Sequence, residues 1–94
     1  MTAPENSIES AFVRWCKEKH RIIARKLLEQ KSNGFPDRSV ILSGGRLVCI
    51  EFKSPTGDLR PAQKLCIKEL TKLGVPVLVT SDLEEAKAWL LEQM

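Results

Sequence analysis

Two strand-like apolar runs, Val40 to Leu42 and Leu47 to Phe52, are separated only by Arg46 and the short stretch Ser43-Gly44-Gly45. Charge marks their ends, with Asp37 before the first run and Glu51 and Lys53 closing the second. Glycine supplies the positive φ that a tight hairpin demands, so Asp37 to Leu42 and Leu47 to Lys53 are expected to pair as antiparallel strands. Side chains alternate across a strand, so Asp37, Ser39 and Ile41 share one face, and Leu47, Cys49, Glu51 and Lys53 share one face of the partner. The turn decides whether the two faces coincide. A two-residue Gly44-Gly45 turn pairs Asp37 with Phe52 and sets the carboxylates on opposite faces. A three-residue loop with Gly45 left-handed pairs Leu42 with Arg46 and Asp37 with Glu51. Only the second register, or an equivalent bulge, builds a site.

Two carboxylates side by side repel each other, and burial at strand ends makes both costlier to ionise, so a fold avoids the arrangement unless a cation neutralises it. Hard divalent ions such as Mg²⁺ take a few carboxylate oxygens, keep several waters and leave room for phosphate oxygens. Lys53, two residues beyond Glu51 on the same face, can orient or deprotonate an attacking water, or offset charge on a five-coordinate phosphate. The bland reading is that Asp37 caps a turn after Pro36 and that Glu51 and Lys53 form an exposed cross-strand pattern. An isolated Glu-x-Lys would deserve that reading. The conjunction of Gly-x-Pro-Asp, a Gly-Gly hairpin and Glu-x-Lys ending an apolar strand favours a site.

The rest of the chain reads as consecutive short elements without repeats or linkers. From Glu5 to about His20, apolar Ile8, Ala11, Phe12, Trp15 and Cys16 recur at helical spacing. Ile22 to Leu28 is a further strand. Pro61 suits the first turn of a second helix, with Ala62, Leu65, Cys66, Leu70 and Leu73 as its apolar stripe, and Gly74 stops it. Val75 to Val79 is a continuously apolar strand, and Ser81 with Glu84 reads as a capping box opening a last helix through Leu83, Ala86 and Leu90. The order α-β-β-β-α-β-α, with a crossover from the third strand to the fourth, predicts an α/β fold with a mixed central sheet between helices.

With 94 residues, the chain is expected to form a single domain over residues 1–94, and a core of that size profits from a partner subunit. Apolar (43%) and charged (29%) fractions are those of a globular protein, and no apolar run could span a bilayer, which suggests an intracellular, cytoplasmic location. Cys16, Cys49 and Cys66 are odd in number and lack histidines at ligand spacing, so buried free thiols are expected rather than disulfides or zinc. Charge is uneven: residues 1–72 carry a net +6, whereas residues 73–94 carry −3. The basic part also holds the unusual carboxylates, as a protein that attracts a polyanion and binds a cation requires.

These residues resemble the PD-(D/E)xK nuclease superfamily and, more closely, its virus-type replication-repair nuclease domain, VRR-NUC. The resemblance is carried by Gly34-Phe35-Pro36-Asp37-Arg38, the Gly44-Gly45 turn, Ile50-Glu51-Phe52-Lys53, Gln63, and Leu73-Gly74-Val75-Pro76-Val77 with Ser81 and Glu84 to Ala86 beyond, in the expected order over nearly the whole chain. It implies that Asp37 and Glu51 bind the metal, that the Phe52 carbonyl adds a ligand, and that Lys53 is the catalytic lysine. It also implies a metal-binding glutamate from the first helix and a lysine on the strand before the Pro-Asp motif, here Lys26. For the helix acid, Glu5 falls between Phe12 and Cys16 around the axis and Glu9 at the stripe's edge; Glu5 is preferred, although a first-turn acid also suits the helix dipole. Gln63 could hold the attacking water or a phosphate. Arg60, Lys64, Lys68 and Lys72 form a ridge every fourth residue, of which Arg60 and Lys64, together with Lys26 and Arg38, are expected to touch DNA. His20, Trp15 and Trp89 are given structural roles.

The resemblance implies a Mg²⁺-dependent endodeoxyribonuclease, Mn²⁺ also serving, without an organic cofactor. Small stand-alone members are associated with phages and with Holliday-junction resolution. A core without a reading module should recognise DNA shape, and paired cuts across a branched junction need a twofold homodimer. The alternatives are a nucleic-acid-binding module without chemistry, a general nickase of the same fold, or a phage assembly protein, which would leave the carboxylates unexplained.

Overall fold

The structure, a computed structural model, describes residues 4–26 and 34–94, with side chains from residue 7 onward. In chain order the elements are α1 (Pro4–His20), β1 (Ala24–Arg25), β2 (Arg38–Ile41), β3 (Leu47–Phe52), α2 (Pro61–Lys72), β4 (Val77–Thr80) and α3 (Leu83–Gln93). The strands form one mixed sheet in the order β1-β2-β3-β4, with β1 antiparallel to β2, β2 antiparallel to β3, and β4 parallel to β3. The α-β-β-β-α-β-α order is thus the expected one. β1 is shorter than the Ile22 to Leu28 run, pairing only at Ala24 and Arg25; Leu27 and Leu28 lie outside the described residues.

The hairpin takes the three-residue loop. Gly44 and Gly45 both lie in the left-handed region, at φ 81° and 76°, which only glycine adopts without strain. Leu42 N–H donates to Arg46 O at 2.7 Å and Gly45 N–H to Leu42 O at 3.0 Å, closing the turn. The ladder then runs Ile41 with Leu47, Val40 with Val48, Ser39 with Cys49 and Arg38 with Ile50. One step further along this register, Asp37 stands opposite Glu51.

One face of the sheet carries the core. Val40, Val48, Ile50 and Phe52 point toward Phe12 and Cys16 of α1 and Ala86 and Leu90 of α3, and all eight are buried. Phe12 and Phe52 meet with ring centroids 5.6 Å apart. Burial of each of the larger side chains, Val40, Val48, Ile50, Phe52, Phe12 and Leu90, stabilises the fold by roughly 1.5–3 kcal/mol.

α2 behaves differently. It buries no residue fully, and its inward side is Gln63, Cys66, Ile67 and Leu70. The expected stripe is therefore rotated: Leu65 and Leu73 are 58% and 81% exposed, and Cys66 is only half-buried, unlike Cys16 and Cys49. β4, at the sheet edge under this loosely seated helix, is likewise half-buried from Val77 to Val79. The end of α2 follows expectation: Gly74 sits at φ 93°, with Val75 N–H donating to Leu70 O and Gly74 N–H to Thr71 O, the paired bonds of a Schellman cap. The start of α3 does not. Its N-cap is Asp82, whose side chain accepts from Glu84 N–H at 3.0 Å, rather than Ser81. The shift follows from Thr80, whose hydroxyl accepts the Asp82 N–H and sets that residue as the last extended one.

Candidate active site

Asp37 lies one residue beyond the last ladder pair, and its N–H turns to the side chain opposite. It donates to Glu51 Oε1 at 3.1 Å, while Phe52 N–H donates to Asp37 Oδ2 at 2.9 Å. Each carboxylate is thus gripped by the backbone of the other's strand. Pro36, buried just before Asp37, favours an extended approach to the strand.

Glu51 is 6% exposed. Burial, the neighbouring Asp37 charge and, more weakly, Glu9 push its carboxyl up from 4.5 to about 7, against the Asp37 N–H and the positive charge of Arg60, which pull it down. Its second oxygen, Oε2, accepts from Gln63 Nε2 at 2.8 Å. Gln63 is held in turn, because Arg60 N–H donates to its Oε1 at 2.7 Å in the capping box that opens α2. With its oxygen committed to the helix cap, the amide can present only its NH₂ to Glu51.

Gly34 explains why α2 can start so close. A Cβ there would lie 2.4 Å from the Ala62 carbonyl carbon and oxygen and 2.5 Å from Gln63 N, and its φ is +71°. The turn before Asp37 and the first turn of α2 therefore touch backbone to backbone, which sets Gln63 against Glu51.

These groups line a cavity of about 370 Å³, together with Phe52, Lys53, Ser54, Lys26 and Glu9. Lys53 is half-buried, with Nζ 3.5 Å from Ser54 O. Of the sequence-predicted residues, Asp37, Glu51, Phe52, Lys53, Gln63, Lys26 and Arg60 all meet here. Lys64 is exposed on α2 and is not among the lining residues. Arg38 bridges α1 and β1, its Nε donating to Glu9 Oε2 at 2.7 Å and its Nη1 to Ala24 O at 3.3 Å. The Glu5 side chain lies outside the described residues, whereas Glu9 is in the cavity wall and its charge reaches Glu51. The sequence placed Glu9 only at the edge of the apolar stripe; its pairing with Arg38, 29 positions away, left no local signal.

The donor set suits a hard divalent cation. Two carboxylates of like charge converge, and a cation between them would offset the repulsion that adds to burial in raising Glu51. Among the described residues no three acidic, histidine or cysteine side chains form a closed metal-binding group.

Comparison with known proteins bears on this geometry. The family model of the VRR-NUC domain matches residues 2–81. A solved VRR-NUC domain shares the fold at TM-score 0.78 and 22% identity, covering 95% of this chain and 96% of its own. A solved VRR-NUC domain protein does so at TM-score 0.74 and 20% identity, covering 98% of this chain and 88% of its own. Comparison with curated protein sequences finds no significant match. With a nuclease-type fold and a family match over most of its length, this chain belongs to the VRR-NUC family.

Proposed function

We propose that this protein is a Mg²⁺-dependent, structure-specific endodeoxyribonuclease that cuts four-way junctions as a homodimer, with Mn²⁺ able to replace Mg²⁺. The observation that carries the reading is the meeting of Asp37 and Glu51 at directly opposite strand ends, in one cavity with Lys53. Asp37, Glu51 and the Phe52 carbonyl are the groups that hold the ion, with an acid from α1 completing the set. Bound there, Mg²⁺ supplies Lewis acidity toward the phosphate and lowers the pKa of water.

The chain's own groups do the rest. Lys53 Nζ orients the attacking water and offsets the charge that develops on the phosphate oxygens. Gln63, its oxygen accepting from Arg60 N–H and its nitrogen donating to Glu51, fixes that carboxylate and has a second N–H to offer the attacking water or a phosphate. In-line attack forms the water–phosphorus bond as the bond to the 3′ oxygen breaks, leaving a 5′-phosphate and a 3′-hydroxyl. Lys26 and Arg60, on the cavity rim, attract the flanking phosphates.

One such site cuts one strand, so symmetric cuts across a junction require two copies. Exposed Leu65 and Leu73 on α2 support a surface that a second copy would cover. The test is incubation of the protein with a four-way junction, a plain duplex and single-stranded DNA, with Mg²⁺ or with chelator. Metal-dependent cleavage strongest on the junction is expected. No cleavage of any substrate would overturn the nuclease reading, and equal cleavage of all three would overturn the junction preference. Light scattering after size exclusion decides the dimer.

A further inference from the structure

A second groove, of about 490 Å³, lies where α1 ends and β1 begins. Val13 and Ile22 contribute apolar floor, Ile23 is 56% exposed at its mouth, and Lys17, Arg25 and Lys26 are exposed cations along it. No acidic residue is among the described residues that line it, and Arg38, which also borders it, is already paired with Glu9. Lys26 belongs to both this groove and the cavity of Asp37 and Glu51. The two concavities are therefore consecutive along the protein surface, one acidic at its centre and the next lined, among the described residues, by cations and apolar side chains.

We infer that this groove takes a single unpaired nucleic-acid strand, continuing from the phosphate held at Asp37 and Glu51; the inference rests on the nuclease reading above. The row of cations Lys17, Arg25 and Lys26 matches a phosphate backbone, and the apolar floor between them matches sugars and base faces. A duplex backbone would bring phosphates to the cations but would keep its bases stacked away from Val13, Ile22 and Ile23. The floor therefore favours a strand that has left its duplex, as the tail of a flap or fork does.

The groove is tested by binding alone, in chelator, so that its outcome is separate from cleavage. Fluorescence anisotropy compares a blunt duplex with a duplex of the same length bearing an unpaired tail. The wild-type chain should bind the tailed DNA more tightly. The variant K17Q/R25Q, changing two exposed side chains, should weaken tailed binding about tenfold at physiological salt and leave blunt binding unchanged, and its salt slope should fall by about 1.4. The charge-keeping variant K17R/R25K should bind as wild type, which excludes misfolding as the cause. Equal wild-type binding of the two DNAs, or a K17Q/R25Q loss that is absent or the same on both, would overturn the proposal. Should cleavage with Mg²⁺ be absent while the tail preference holds, the nuclease reading fails and the groove stands.

Discussion

Replacing Glu51 by Gln should make the metal-free protein more stable at alkaline pH while removing its activity. The folded-state carboxyl titrates at about 7 against 4.5 for the ordinary group. Its proton is thus held more tightly in the folded protein, and the associated stability is complete below about pH 4.5 and lost as pH rises through about 7. Between about pH 5.5 and about pH 8.5 the linkage relation makes this loss about 2 kcal/mol. Glutamine has no such dependence. It does carry a fixed cost, because the Asp37 N–H and Gln63 Nε2 both donate to the present carboxylate and an amide has one oxygen for the two. That cost, about 1 kcal/mol, is the same at both pH values and cancels in the comparison. Urea denaturation of both proteins in chelator, at both pH values, isolates Glu51 because every other titrating group is shared. The wild-type stability relative to Glu51→Gln should fall by about 2 kcal/mol from the lower pH to the higher. Saturating Mg²⁺ at the higher pH should restore the wild type and leave the variant unmoved. A difference between the two proteins that is equal at both pH values would refute the reasoning, since Glu51 would then not be held under electrostatic load.

Other perturbations separate the roles around it. Lys53→Ala should slow cleavage by at least about 10²-fold while DNA affinity in chelator changes less than about fivefold; cleavage at the wild-type rate would remove Lys53 from the chemistry. Gln63→Ala should raise the Mg²⁺ concentration for half-maximal cleavage about tenfold or more, with about 1 kcal/mol of stability lost from the α2 cap, and an unchanged metal requirement would mean that Glu51 needs no positioning. Gly34→Ala, which brings a Cβ to 2.4 Å from Ala62 backbone, should cost about 2 kcal/mol or more, whereas Gly44→Ala, with open space around it, should cost about 1 kcal/mol from its left-handed backbone alone. Equal losses in the two glycine variants, measured by urea denaturation, would contradict the backbone contact between the Gly34 turn and α2.

The pairing at the centre of the site was legible in the chain as one of two registers, because strand register is a local property that the turn completes. A loop of three residues with left-handed glycines, combined with the two-residue period of a strand, leaves Asp37 opposite Glu51 whatever the rest of the fold does. The stop at Gly74 and the amphipathic α1 were legible for the same reason, since their signals lie within a few residues. The capping residue of α3 was misplaced by one position because Ser81 and Asp82 are both competent caps, and the choice fell to the Thr80 hydroxyl.

What only the tertiary structure decided is how each helix turns its faces toward the sheet. Hydropathy states which side chains favour burial; docking determines which obtain it. Leu65 and Leu73 remain exposed because the close approach of Gly34 to Ala62 seats α2 with Gln63 inward. The same docking gave Gln63 its bond to Glu51, and the packing of α1 brought Glu9 to the cavity wall and to Arg38. Sequence alone thus determined that the two carboxylates close neighbouring strand ends and narrowed their pairing to two registers, through strand period; the turn observed in the structure chose the one that opposes them. The long-range contacts of α1 and α2 supplied the groups that orient and charge them, because helix rotation depends on surfaces distant in the chain.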